Sequence, residues 1–223
     1  DGITREDADA FALRSHERAT AAIDAGRLAP EIVAVPAPRG GDVDTDEGPR
    51  RDTSLEALAG LRPVVAGGSV VTAGNSSSLN DGASALVVAG SAAIERHGLT
   101  PRARVVASAS AALAPEIMGL GPVPATEKAL AKAGLTVADL GAVELNEAFA
   151  SQSLASMRRL GLDPEIVNAD GGAIALGHPL GSSGSRLLLT LLGRMEREGA
   201  RYGLATMCVG VGQGTAMILE LMR

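Results

Sequence analysis

Three short segments of this 223-residue sequence hold side chains able to do chemistry at a carbonyl compound. The first is Asn146-Glu147-Ala148-Phe149-Ala150, into which the apolar run Val143-Glu144-Leu145 leads as a strand. Ligands of open α/β sheets bind at the carboxyl ends of strands, and an amide there can hold a water or an oxyanion. Asn146 can equally serve as the N-cap of the helix that follows, and Glu147 as its first-turn dipole partner. The second segment, residues 171–184, sets five glycines around the single imidazole of His178, with Gly177 before it and Pro179 after it. Small neighbours and a proline fix the backbone there and let a substrate come close, although an ordinary buried histidine in a glycine-rich turn fits too. The third is Cys208-Val209-Gly210-Val211-Gly212-Gln213-Gly214. A thiol at a strand end and the backbone N–H of Gly210 can face one point, an arrangement suited to proton transfer at a carbonyl. The alternative is a buried cysteine acting as a small hydrophobe. An amide, an imidazole and a thiol at strand ends of one α/β unit make an acyl-transfer set.

Other chemistries fail on these residues. The second segment lacks the Lys-Ser/Thr of a phosphate-binding loop, and the third is followed by strand sequence where a dinucleotide fingerprint needs a helix. His16 reads as lying on the polar side of the first helix and His97 as ending another before Gly98, so both are structural candidates.

Alternating elements position the three segments. Thr4 with Asp7 marks a helix start, and that helix runs through Phe11, Leu13 and Ile23 to Gly26. Residues 29–63 loosen into an irregular excursion, with a short strand expected at 32–35 and a short helix at 54–59. Beyond it, 70–72, 83–89 and 105–109 read as strands, and 91–97 and 125–133 as helices. Asn146 is expected to cap a helix bearing Ala150, Leu154 and Met157. Residues 181–184 open another with Leu187, Leu188, Leu191, Leu192 and Met195 on one stripe. Residues 204–209 and 216–221 form two closing strands joined tightly enough for a hairpin. The pattern is α/β.

Composition narrows the function further. The chain is acidic, with 26 Asp plus Glu against 20 Lys plus Arg and a formal charge of −6, and its only lysines are Lys128 and Lys132. Phe11, Phe149 and Tyr202 are its aromatics, so it has neither a basic footprint nor a stacking platform for nucleic acid. Its core must be Ala, Val, Leu and Ile, and 28 glycines imply tight backbone approaches. One cysteine permits no intrachain disulfide and no thiolate metal cage, which points to a reducing compartment. No apolar run approaches the ~18 residues of a membrane span and no signal peptide is visible. The expectation is a cytoplasmic protein without metal or membrane. A chain opening on Asp1, already in a helical pattern, is expected not to begin at the start of its gene product.

The three segments together resemble the C-terminal signatures of the thiolase family, the acetyl-CoA C-acetyltransferases and 3-ketoacyl-CoA thiolases. The stretch Thr72-Ala73-Gly74-Asn75-Ser76-Ser77-Ser78-Leu79-Asn80-Asp81-Gly82-Ala83 and Met118-Gly119-x-Gly121-Pro122 are similar to the family as well. The resemblance implies a layered α/β fold, of which this chain is the C-terminal mixed-sheet half plus the remainder of a loop subdomain. Residues 1–79 would be that remainder, 80–100 the last strand and helix of the N-terminal half, and 101–223 the C-terminal domain. It also implies that thiolysis of 3-ketoacyl-CoA, or the reverse Claisen condensation, runs through an acyl-cysteine.

On that resemblance His178 activates the nucleophile and, with a water held by Asn146, stabilises the thioester oxyanion. Cys208 moves the proton, and the N–H of Gly210 completes a second oxyanion hole. Arg50 would lie by the adenine and phosphates of coenzyme A, Ala73 and Ser77 along the pantetheine channel, and Met118, Ala148 and Phe149 against the acyl group. No cofactor is bound tightly; the coenzyme A thioester is the substrate, and the family's homodimers and homotetramers imply self-association. The family's nucleophile is a different cysteine in the N-terminal half, so the chain is expected to lack that half, to expose the strand at 83–89, and to be inactive alone. A non-catalytic module binding coenzyme A, or a Cys–His hydrolase using Cys208 and His178, remain alternatives.

Overall fold

The computed structural model describes residues 1–222. In chain order the elements are α1 (Arg5–Asp24), β1 (Val35–Pro36), β2 (Asp42–Val43), α2 (Leu55–Ala59), α3 (Ser91–His97), β3 (Ala103–Ala112), α4 (Pro122–Ala133), β4 (Leu140–Leu145), α5 (Ala150–Leu160), α6 (Ala173–Leu176), α7 (Ser183–Glu198), β5 (Tyr202–Val209) and β6 (Gln213–Leu221). They fall into two compact units. Residues 1–80, 147–155 and 168–178 form the first, and the rest of the chain forms the second.

The first unit is built on α1. Thr4 and Asp7 close a reciprocal capping box at its start, as the sequence pattern predicts. Ala8, Phe11, Ala12, Ser15, Ala19 and Ala22 recur at helical spacing and are all buried. So much alanine lets other backbone come close: a Cβ on Gly171, at φ +85°, would stand 2.6 Å from that of Ala19. Polar anchors hold the loops around the helix. Arg5 pairs with Asp9 at 2.7 Å and donates to the Leu58 and Leu61 carbonyls, while Asn75 Nδ2 donates to Asp9 Oδ1 at 2.8 Å.

The second unit centres on a four-stranded sheet of order β3-β6-β5-β4. β6 runs antiparallel to both neighbours, whereas β4 and β5 are parallel and therefore need a long crossover between them. Helix α7 lies in that crossover and packs Leu187, Leu191 and Met195 against Ala142, Ala205 and Leu219. Burying each of these large side chains contributes roughly 1.5–3 kcal/mol relative to exposure. The alternate residues Leu204, Ala216 and Ile218 are also buried, and α4 packs on β3 and β6. Arg194 of α7 is only 1% exposed and reaches Glu144 at 2.9 Å, the carbonyls of Val143 and Ile166, and Glu198.

Several expectations need correction. Residues 83–89 form no strand: Val87 and Val88 are 90% and 85% exposed, and among the described residues no neighbouring strand pairs with them. Residues 70–72 make a single bridge, Thr72 to Pro63, because the Asn75 side chain takes the Thr72 N–H at 2.9 Å and the chain turns at once into a 3-10 turn, Ala73–Asn75. Of the expected strand at 32–35 only Val35 is paired, in the small exposed hairpin β1–β2. His16 is buried, not on a polar face. Asn146 is no N-cap, since α5 begins at Ala150; its N–H instead donates to the Thr206 carbonyl at 3.0 Å and prolongs the β4–β5 pairing.

Candidate functional site

In the first unit one extended strip, residues 76–80, brings several expected site residues together. Ser76 bridges Phe149, and the Ser77 N–H and hydroxyl both donate to the Ala148 carbonyl, at 3.1 and 3.3 Å. At the other end Leu79 bridges His178, whose N–H donates to the Ser78 carbonyl and to Asn80 Oδ1, each at 3.2 Å. Ser77, Ala148, Phe149 and His178 are thus strung along one segment. Ala148 is half-buried and Phe149 is 37% exposed, while His178 is 9% exposed.

Glycines shape the approach to His178. Gly177 has φ +93° and ψ 166°, a region essentially reserved for glycine. Glu147, 1% exposed, sits behind the same segment. Its carboxylate accepts from Ser15 Oγ at 2.6 Å, from Asn168 Nδ2 at 2.9 Å and from the Ile174 N–H at 3.1 Å. A Cβ on Gly172 would fall 2.1 Å from the Glu147 carboxyl carbon, so this residue must be small. Glu147 is therefore a fastener between α1 and the glycine-rich segment, and not a first-turn dipole partner.

Arg50 is exposed, and its backbone N–H donates to His16 Nδ1 at 3.1 Å. Burial, and then the charge of Arg50, hold the His16 imidazole below its ordinary value of 6.5, so Nδ1 remains an acceptor at neutral pH. Gly48 lies on the Ala175 carbonyl, where a Cβ would approach to 2.4 Å. The loop carrying Arg50 is thus seated on α1 and α6. Ala73 is exposed at the start of its 3-10 turn.

In the second unit the parallel pair β4 and β5 places Asn146 and Cys208 at neighbouring carboxyl ends. Asn146 is fully buried and bonded to Thr206; Cys208 lies two residues further on, hence on the same face of β5 as Thr206. Burial pushes the Cys208 thiol up from its ordinary 9.0, with a backbone hydrogen bond opposing, and the group is a neutral S–H at physiological pH. Gly210 follows in the exposed β5–β6 turn, where a Cβ would meet nothing within 4 Å.

The other glycines of that turn have packing reasons. A Cβ on Gly212, at φ +85°, would stand 2.3 Å from the Leu113 carbonyl oxygen, and one on Gly214 would overlap the Gly121 carbonyl. The Leu113 N–H donates to the Gly212 carbonyl at 2.9 Å, which secures the turn with Val211 at φ +68°, a conformation costly for a β-branched residue. Met118, half-buried, sits on the same 113–121 segment.

Sequence reasoning missed Asn80 as a partner of His178 and Glu147 as a buried hub. Gly177 signals that something approaches closely, but not what. Among the described residues no group of His, Cys, Asp and Glu is arranged to hold a metal.

The chain matches two family models, described as "Thiolase, N-terminal domain" over residues 1–92 and "Thiolase, C-terminal domain" over residues 99–221. It is 59% identical to the beta-ketoadipyl-CoA thiolase of Pseudomonas aeruginosa and 51% identical to the acetyl-CoA acetyltransferase of Syntrophomonas wolfei, in each case over 98% of this chain and 56% of the relative. Among solved structures it superposes on human mitochondrial 3-ketoacyl-CoA thiolase in complex with CoA with a TM-score of 0.95 at 44% identity, covering 99% of this chain and 55% of that one. The chain therefore spans little more than half the length of the relatives it matches.

Proposed function

The chain belongs to the thiolase family, and from that premise we propose that it supplies the proton-transfer and oxyanion-binding residues for thiolysis of a 3-ketoacyl-CoA, or for the reverse condensation. The observation that carries the reading is Cys208. It is a buried thiol kept protonated, at the carboxyl end of a strand whose parallel neighbour ends in the buried amide of Asn146.

A thiolate nucleophile attacks C3 of the 3-ketoacyl-CoA, and the C2–C3 bond breaks. The acetyl-CoA enolate released takes the proton of the Cys208 thiol. The Cys208 thiolate then takes the proton of an incoming CoA thiol, and that sulfur attacks the acyl-enzyme to release the shortened acyl-CoA. His178, and a water held by Asn146, stabilise one oxyanion, and the N–H of Gly210 the other; neutral donors avoid a metal that CoA thiols would ligate. Because Cys208 is the only cysteine in these 223 residues and is occupied with the proton, the proposal assigns the acyl-carrying cysteine to a segment beyond them.

The same reading lays the CoA moiety along Arg50, Ala73 and Ser77 and the acyl group against Met118, Ala148 and Phe149. In its support, Ser77, Ala148 and Phe149 share one hydrogen-bonded strip. The name of the Pseudomonas aeruginosa relative makes beta-ketoadipyl-CoA the first substrate to try, with acetoacetyl-CoA second. Self-association as a homodimer or homotetramer belongs to the proposal as well.

The test joins the chain to the part of the Pseudomonas aeruginosa relative it does not span and follows loss of 3-ketoacyl-CoA absorbance. Activity is expected in the joined protein, none in the chain alone, and a loss of at least 10²-fold in Cys208→Ala. An unimpaired Cys208→Ala enzyme would overturn the proposal. The chain on its own binding CoA, with the joined protein inert, would favour a non-catalytic CoA-binding module.

A further inference from the structure

His178 stands on a backbone held by one side chain that no catalytic argument has used. Asn80 Oδ1 accepts the His178 N–H at 3.2 Å, sharing it with the Ser78 carbonyl at the same distance, and accepts the Ser78 hydroxyl at 2.7 Å. The same carboxamide fills the space beside Gly177: a Cβ built there would stand 2.4 Å from Asn80 Oδ1, 2.6 Å from its Cγ and 3.1 Å from its Nδ2. Asn80 therefore acts at the 177–178 peptide in two ways, by a hydrogen bond to the N–H and by filling the space a side chain on Gly177 would need. Its oxygen, fixed by two donors, cannot swing away without breaking both bonds. Gly177 holds a φ of +93°, where no intrinsic preference locks the backbone, so external contacts must select this conformation from the many open to glycine.

An imidazole is only two rotatable bonds from its Cα, and a displaced backbone displaces the ring with it. We propose that Asn80 is a positioning residue for His178: its carboxamide, clamped on the Gly177–His178 peptide, sets the point from which the imidazole reaches the thioester. This rests on the role given to His178 above. A misplacement of about 1 Å in a reacting group can cost about 10²-fold in rate, which sets the scale of the effect.

Two substitutions separate the acceptor from the bulk. Asn80→Leu keeps the branching and the number of side-chain heavy atoms but loses the oxygen; Asn80→Asp keeps an acceptor in the same place. Asn80 is exposed, so neither change opens the core. In the joined enzyme Asn80→Leu is expected to lower kcat by 10- to 100-fold with KM within about threefold, and Asn80→Asp to recover most of it. In the chain alone, amide exchange at His178 is expected to quicken by about tenfold in Asn80→Leu and much less in Asn80→Asp. Equal losses in the two variants, or an unchanged His178 amide in Asn80→Leu, would overturn the inference. His178→Ala in the same enzyme keeps the two claims apart. If it abolishes turnover while Asn80→Leu does not, only the positioning role fails; if it leaves kcat intact, the reading of His178 itself falls.

Discussion

Ser15 Oγ donates to Glu147 Oε2 at 2.6 Å, joining the middle of α1 to a residue 132 positions away in the chain. With Asn168 and the Ile174 N–H, this makes Glu147 a carboxylate that accepts from three donors held by different segments. Glutamine in its place would turn an NH2 toward at least one of those donors. A buried group left unsatisfied costs about 1–3 kcal/mol. Glu147→Gln is expected to destabilise the chain by that amount, and Ser15→Ala by about 1 kcal/mol, both read from urea denaturation midpoints at unchanged m-value. A Glu147→Gln midpoint equal to wild type would show the carboxylate to be dispensable.

A second prediction concerns pH. The folded-state pKa of His16 is depressed, by burial first and the Arg50 charge second, below the ordinary 6.5. The unfolded chain therefore binds more protons than the folded chain between those two values, and stability rises with pH there. His16 contributes its stability fully above about pH 6.5 and loses it as pH falls toward the depressed value. Protonation would also turn Nδ1 from the acceptor of the Arg50 N–H into a donor. Unfolding free energies from pH 8 to pH 5 should fall more steeply in wild type than in His16→Gln, and parallel curves would contradict the assignment.

Much of this architecture is legible in the sequence wherever an element carries its own reasons to form. Helix α1 has its capping box and its alanine stripe, α7 has Leu187, Leu191 and Met195 at helical spacing, and β5 and β6 are joined by a turn too short for anything but a hairpin. Local pattern fails where a partner decides. Residues 83–89 have strand composition, yet a strand exists only against a neighbour. Asn146 has the chemistry of a cap, but the Thr206 carbonyl takes its N–H and the helix starts later. The candidate residues show the same division. Gly177, His178 and Cys208 are visible as residue types in a glycine-rich setting, whereas the Asn80 contact to His178 joins positions 98 apart and leaves no periodic trace.

Cys208 gives a chemical prediction. Alkylation proceeds through the thiolate, and burial raises the pKa of this thiol while restricting access to it. Iodoacetamide at pH 8 should label folded Cys208 at least tenfold more slowly than a free cysteine, as followed by intact mass. Labelling in urea should then reach the free rate. Fast labelling of the folded chain would mean a depressed pKa and a nucleophile, which is the behaviour of a Cys–His hydrolase.

The buried ion pair of Arg194 and Glu144, 1% and 0% exposed in their side chains, predicts an asymmetry. Arg194 also donates to the Val143 and Ile166 carbonyls, so its removal takes the 2.9 Å partner from the buried Glu144 carboxylate, with Arg186 left 3.9 Å away, and one donor from each of two carbonyls. Breaking such a pair from one side costs about 3–5 kcal/mol, while replacing both partners by apolar groups of similar volume is far milder. Arg194→Met alone should be severely destabilised, and Arg194→Met with Glu144→Leu should regain a substantial part of the loss. If the double variant is no better than the sum of the singles, the pair is not the source of the cost.

The glycines of the β5–β6 turn separate folding from function. Gly214 faces the Gly121 carbonyl so closely that a methyl group must push backbone aside, and β6, paired on both sides, cannot yield as a flexible side chain can. Overpacking of this kind costs about 1–3 kcal/mol or more, so Gly214→Ala should lower the melting temperature and disturb the whole turn. At Gly210 a Cβ meets nothing within 4 Å, so alanine there meets no steric obstacle to folding. The proposed role of Gly210 places a substrate oxygen against its N–H. Gly210→Ala should leave the unfolding midpoint within about 0.5 kcal/mol of wild type while raising KM or lowering kcat in the joined enzyme. Loss of stability in Gly210→Ala with turnover unchanged would assign this glycine to folding and remove it from the oxyanion site.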